Sequence, residues 1–287
     1  MIKVELYQEL KEEIHNSECQ RVFASILKKT AIYMHHHRGD FKEYEHILVN
    51  LVSLFVKQYN TTLLLAEDIS YKFDSDVTCL DIKSFYSISR TMHELYLNFE
   101  YLISGDDSLK EFKSLCYRYS GCLDNKSTLE SMSKFKSRPV PLDFHERVKS
   151  SALEVSGYMS KISSHPEYSK LNSKQKQLIE AGKWKFDEKS SLKWNELLRF
   201  SLMDNAYGES MYHTMSQYSH MTYHSMVLDS AHNHEIDGMM CHIYVLAALL
   251  VRKLFYSFGW KWLSHNSIFS LEEQVLLIDI LYIARKD

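Results

Sequence analysis

The sequence predicts an all-α protein: a single large irregular bundle of about ten to twelve helices. Three observations lead there. Glycine (8) and proline (3) are scarce among 287 residues, where average usage would give roughly 20 and roughly 14, so elements run long and turns are few. Ser, Asp or Asn stands three residues ahead of Glu or Gln at Ser108–Glu111, Ser127–Glu130, Asp143–Glu146, Asn172–Gln175 and Ser270–Glu273. In that spacing each side chain can satisfy an orphan amide of a first helical turn. Finally, no stretch alternates apolar and polar residues as a half-buried strand does, and no hairpin dipeptide joins β-branched runs.

In chain order, helices are expected near 3–15, 18–36, 40–69, 76–104, 108–121, 127–137, 143–163, 172–183, 190–203, 205–230, 235–258 and 270–285. The first, in MIKVELYQELKEEIHN, is amphipathic and acidic, unlike a signal peptide, so a cytoplasmic location is expected. The second runs into His35, His36 and His37, cations when protonated and suited to a helix C-terminus. Adjacent histidines point apart, which argues against a shared metal. His232 and His234, in SAHNHEIDG, read as part of a polar turn. The helix near 235–258 contains MMCHIYVLAALLVRKLFYSF, long enough to mimic a membrane span, but His242, Arg252 and Lys253 interrupt it. A buried core helix and no membrane contact are expected. The only proline-rich connector is RPVPLDF, Arg138 to Phe144. One domain over 1–287 is expected, with a subdivision at 138–144 as the alternative.

Bulk chemistry narrows the function classes. Net charge is −3 and pI about 6.6, so broad electrostatic attraction to a nucleic-acid duplex is not offered. The 19 tyrosines and 14 phenylalanines can stack on bases, but a helical core needs such rings too. Five cysteines without a C-x-x-C pair fit a reducing compartment better than a disulfide framework or a zinc ribbon.

Two helices carry candidate chemistry. In DIKSFYSISRTMHELYLNFEYLIS, Phe85, Ile88, Met92, Leu95, Phe99 and Leu102 share one stripe. Arg90 and Glu94 lie opposite, one turn apart, on a face that also holds Tyr86, Leu97 and Tyr101. Such a face suggests a second buried contact with an ion pair inside it, because buried charges need partners. It serves either as a register pin or as a polar cluster lining a cleft. In YHTMSQYSHMTYHSM and its flanks, Glu209, His213, His220 and His224 fall within about 60° on a helical wheel, flanked by Ser216 and Gln217. His220 and His224 have the spacing of H-E-x-x-H zinc helices without the intervening glutamate. His213 and His224 would stand about 16 Å apart along the axis, so one straight helix converges poorly on a metal. No metal and no cofactor are expected. Histidine remains the natural proton carrier near neutral pH. If His220 and Ser216 meet Arg90 and Glu94, the group suits RNA cleavage through the 2′-hydroxyl: arginine for phosphate, histidine for the proton, Glu94 and Ser216 to orient them. Tyr86, Tyr101, Tyr212, His213 and His224 are the expected ligand contacts.

The helix SRTMHELYLNFEYLI with its R-x-x-x-E, followed by KWNELLRFSLMDNAYGESMYHTMSQYSHMTYHS with Trp194, Tyr212 and S-x-x-x-H (Ser216 to His220), resembles a bacterial family of all-helical domains of unknown function, often met in mobile-element and phage-defence gene neighbourhoods. The resemblance covers roughly residues 40–230, and its matching positions are Arg90, Glu94, Tyr212, Ser216 and His220. A weaker similarity is to the HEPN ribonucleases (higher eukaryotes and prokaryotes nucleotide-binding domains), whose signature is an Arg followed four to six residues later by His on one helix. Here Arg138 to His145 contains two prolines, Arg90 to His93 is too short and Arg38 to His46 too long, so the similarity stops short of the motif. Together these imply a bacterial anti-phage defence protein, an RNA-cleaving effector acting alone or as a homodimer on RNA. The alternative is a non-catalytic sensor or scaffold binding a phage component, a nucleotide or a partner defence protein.

Overall fold

The computed structural model describes residues 19–67, 69–71, 74–134, 141–220, 223, 233–264 and 266–281. Among the described residues the protein is all-α apart from one short hairpin. Its chain clusters into two compact units, the first made of residues 1–41, 48–101 and 194–287, the second of 42–47 and 102–193. Of the connector 138–144, residues 138–140 lie outside the described residues, while Pro141 to Phe144 belong to the second unit.

The first unit contains α1 (Cys19–His36), most of α2 (His46–Leu65), β1 (Ile69–Tyr71), β2 (Asp74–Cys79) and α3 (Ile82–Ile103) as far as Tyr101. The second unit supplies α4 (Asp107–Ser133), α5 (Phe144–Ser164), α6 (Pro166–Ser169) and α7 (Ser173–Glu180). The chain returns to the first unit with a 3₁₀ turn (Asn195–Phe200), α8 (Asn205–Ser219), α9 (Asn233–Ser257) and α10 (Leu271–Leu281). Phe23, Phe55, Phe85, Phe99 and Phe255 are fully buried in the first unit. Helix α9 is apolar nearly all round, as a helix enclosed on every side must be. Over Ile236–Ser257 it is long and apolar enough to cross a membrane, yet 78% of that window is buried inside the protein. It is a core helix. Phe112, Cys116, Tyr119, Ile162 and Ile179 form the second unit's own core.

Several boundaries differ from expectation for local reasons. The hairpin pairs Ile69 with Cys79 and Ser70 with Thr78, antiparallel, with an irregularity before the Tyr71–Asp74 pair. The three-residue β1 is too short for a period-two signal, and β2, DSDVTC, carries only Val77 and Cys79 as apolar residues. The helix expected at 108–121 and the described part of the one expected at 127–137 form the single α4, while 135–137 lie outside the described residues. Ser127 does not cap, and the Thr128 hydroxyl bonds back to the Asp124 carbonyl of its own helix. The cap of α4 is Asp106, whose carboxylate accepts from the Leu109 N–H at 2.8 Å. Gly105 before it has φ of +100°, a conformation that glycine adopts without penalty. At α5 the expected Asp143 cap makes no side-chain bond. In place of a helix over 190–203 there is an Asx turn, with Asp187 accepting from the amides of Lys189 and Ser190, and then the 3₁₀ turn.

Two expected capping boxes form: Asn172 with Gln175 at α7, and Ser270 with Glu273 at α10. Glu273 does more than cap. Its buried carboxylate also accepts from Ser25 Oγ at 2.6 Å and Lys29 Nζ at 2.7 Å, tying α10 to α1. Burial pushes its pKa up, but the bonds from Lys29, Ser25 and the Ser270 amide outweigh that and hold it below the usual carboxylate value. Its folded pKa is therefore depressed, so its contribution is present above the unfolded pKa and fades as pH falls through the folded one. Glu273→Gln keeps the shape but loses the charge-assisted bonds. It should cost about 2 kcal/mol at pH 7, read as a lower urea midpoint.

Candidate functional site

The site begins on α3. Asp81 starts that helix, its carboxylate accepting from the Ser84 amide at 3.0 Å. The helical period then places Arg90, His93 and Glu94 on one side. On the facing α8, Asp204 caps the N-terminus through the Tyr207 amide. Gly208 lets the first turn approach its neighbours closely: a Cβ there would sit 2.5 Å from Leu198 Cδ2 and 2.9 Å from Met203 Sδ. Further along α8, Tyr218 stacks on Tyr86 at 4.1 Å between ring centroids.

Between these helices Arg90 is the hub. Its Nε donates to Glu94 Oε1 at 3.0 Å, its Nη2 donates to Tyr212 Oη at 3.0 Å, and its Nη1 lies 2.9 Å from His220 Nε2. Tyr212 in turn donates to Glu94 Oε1 at 3.0 Å, closing a ring. A guanidinium can only donate, so the His220 Nε2 presents its lone pair and the proton of the neutral imidazole sits on Nδ1. Three of the five N–H groups of Arg90 are taken by these bonds, which leaves two to meet a ligand. The Arg90 and Glu94 side chains are 21% and 23% exposed, and His220 is exposed. Burial works against the Arg90 charge, yet the bonds and charges of Tyr212 and Glu94 prevail and its pKa rises. The Tyr212 phenol is raised as well, by burial first and then by Glu94.

Beneath this ring lies a second network. His93 Nδ1 is 3.0 Å from His242 Nε2 on α9, and His242 Nδ1 is 3.0 Å from Tyr207 Oη. Both imidazoles are fully buried. The His93 ring tilts against the Tyr212 ring at 5.7 Å, so the buried pair supports the floor of the polar ring. Burial alone pushes the His93 pKa down to about 3. Burial, joined by His93, puts His242 well below the usual imidazole value.

Of the residues expected at the site, the structure brings together Arg90, Glu94, Tyr212 and His220. Ser216 contributes its backbone, accepting from the His220 N–H at 3.1 Å, while its buried hydroxyl makes no hydrogen bond. Helix α8 ends at Ser219 and His220 is its C-cap; of the rest of the helix expected over 205–230, Tyr223 is helical, and residues 221–222 and 224–230 lie outside the described residues. His213 is apart, bonded to Gln217 at 2.9 Å. Tyr86 and Tyr101 are core residues, 4% and 2% exposed, Tyr101 edge-on to Phe200; sealed from solvent, neither is presented to a ligand. His224 lies outside the described residues. His93, His242 and Tyr207 were missed. The available signal was a histidine one turn after Arg90 and another inside the most apolar run of the chain. Among the described residues no group of three His, Cys, Asp or Glu side chains is placed to hold a metal ion.

Compared with known proteins, residues 46–239, more than half of the chain, match a family described as one of unknown function, DUF5677. No curated protein and no solved structure matches the chain.

Proposed function

The chain belongs to the DUF5677 family of unknown function; from its own residues we propose that it cleaves RNA through the 2′-hydroxyl and, from the family resemblance described above, that it does so as a cytoplasmic effector of bacterial anti-phage defence. The observation that carries this reading is the 2.9 Å contact between Arg90 Nη1 and His220 Nε2. It joins a fixed positive charge to a neutral imidazole at a half-open surface. A phosphodiester entering against Arg90 takes over its free N–H groups and competes for Nη1. That uncaps the His220 lone pair. Nε2 then accepts the 2′-hydroxyl proton, the 2′ oxygen bonds to phosphorus, and the P–O5′ bond breaks. The 5′ oxygen takes its proton from water. Arg90 neutralises charge gathering on the phosphoryl oxygens, and Glu94 with Tyr212 fixes the guanidinium plane. With a net charge of −3, recognition rests on these local donors rather than on a basic surface.

The ring also supports a second reading. Through Tyr212, the Arg90–Glu94 pair clamps α8 onto α3, which suits a non-catalytic sensor whose site binds a phage component, a nucleotide or a partner defence protein. The two readings part in one assay. Single-stranded RNA incubated with the purified chain in EDTA should give 2′,3′-cyclic phosphate and 5′-hydroxyl ends, and 2′-O-methyl RNA should stay whole. Intact RNA at high protein excess, or equal cutting of the 2′-O-methyl strand, would overturn the nuclease reading.

A further inference from the structure

The second unit carries a groove that the Arg90 ring does not use. One wall is α4, where Glu111, Ser114, Leu115 and Arg118 recur at helical spacing; the other is the end of α5 with Lys161, Ser164 and His165. The turn Glu43–Glu45 closes the third side through Tyr44, and the space measures about 840 Å³. That is within the roughly 300–1,000 Å³ of small-molecule sites.

The polar groups there are incompletely engaged. Arg118 donates from Nη2 to the Glu43 carbonyl at 3.0 Å, but its Nη1 reaches the Glu43 carboxylate only at 3.8 Å, and that side chain is 86% exposed. Lys161 lies over the Tyr158 ring at 5.6 Å with no carboxylate in reach among the described residues. His165 Nδ1 accepts from the Glu167 amide at 3.2 Å, so its proton is on Nε2, which stands 3.9 Å from Glu111. The Tyr44 hydroxyl is shut away from solvent and makes no hydrogen bond of good geometry. Lys42 and Asp107, at the rim, are already paired with each other.

We propose that this groove binds a nucleoside monophosphate. Arg118, Lys161 and the His165 Nε2–H form a donor set for phosphate, two of them charged. Glu111 answers the other half of the ligand. Carboxylates among the cations make the lining a poor trap for a bare anion, but they suit a molecule that joins a phosphate to hydroxyl and amine donors. Size, charge pattern and free donors thus agree on one class. This inference is independent of the Arg90 reading.

The test is calorimetric titration of the full chain with the four ribonucleoside 5′-monophosphates, their nucleosides, and inorganic phosphate. At least one monophosphate should bind with a sub-millimolar Kd, and its nucleoside and inorganic phosphate about tenfold or more weaker. Lys161→Ala should weaken the nucleotide about tenfold, and Glu111→Gln should narrow its advantage over phosphate. Both side chains are exposed, so an unchanged urea midpoint is expected for each. Arg90→Ala should bind as the wild type does, which separates this site from the first. The proposal fails if no monophosphate binds, if phosphate or nucleoside alone binds as tightly, or if Lys161→Ala leaves binding unchanged.

Discussion

Arg90→Ala should lower the rate of RNA cleavage about a thousandfold, close to 4 kcal/mol of transition-state stabilisation, while the urea midpoint moves little. The asymmetry follows from exposure. The Arg90 and Glu94 side chains keep about a fifth of their surface in water, so an i,i+4 pair there contributes only about 0.5 kcal/mol to folding. Loss of Tyr212's bond adds a comparable amount. In the reaction the same guanidinium faces a phosphoryl group that gains charge, and positioned arginines are worth about 10³ or more in that role. Arg90→Lys should recover little, because one ammonium cannot hold Glu94, Tyr212, His220 and a phosphate in a fixed plane. His220→Ala should remove the proton acceptor and slow cleavage by about 10²–10⁴, also with folding intact, since the ring is exposed. Rates are read from a labelled RNA and folding from urea titration of the same preparations. Collapse of the midpoint in Arg90→Ala would identify the ring as a structural clamp.

How much of this was legible follows from where each signal lives. Arg90 and Glu94 betrayed themselves because two charges faced aromatic residues on a helix already buried on its other side. Tyr212 and His220 followed from their place on the partner helix. The ring's closure was not legible: Tyr212 lies 118 positions from Glu94, and no local pattern encodes that. His93 and His242 were hidden more deeply. Each is a single polar residue in apolar surroundings, and its meaning comes only from the other, 149 positions away. Caps read well where a box was reciprocal, as at Asn172 and Ser270. They misled at Ser127, where Thr128 bonded inward and α4 continued.

The buried histidine pair should make stability depend steeply on pH. Burial lowers the pKa of both rings, His93 to about 3 and His242 to well below the usual imidazole value. Above about pH 6.5 folded and unfolded chains both hold these rings neutral. As pH falls below it, the unfolded chain binds protons that the folded core refuses, so stability drops until the folded rings themselves protonate, His93 near pH 3. A ring that stays neutral in the fold loses about 1.4 kcal/mol per pH unit. Between pH 6.5 and 4.5 His93 alone accounts for about 2 kcal/mol, and His242 adds to the loss in the same direction, a noticeable share of a typical 5–15 kcal/mol. Glu273 enters only at the foot of the window, because its contribution begins to fade as pH falls to the unfolded carboxylate value. Urea midpoints at half-unit steps of pH read the slope. The informative variant is His93→Met with His242→Met, since either single change strands the other ring's nitrogen in the core. The double variant keeps the volume and removes both ionisable groups, leaving the Tyr207 hydroxyl to find water at its half-buried edge. Its slope over that window should flatten; an unchanged slope would mean that other groups carry the acid sensitivity.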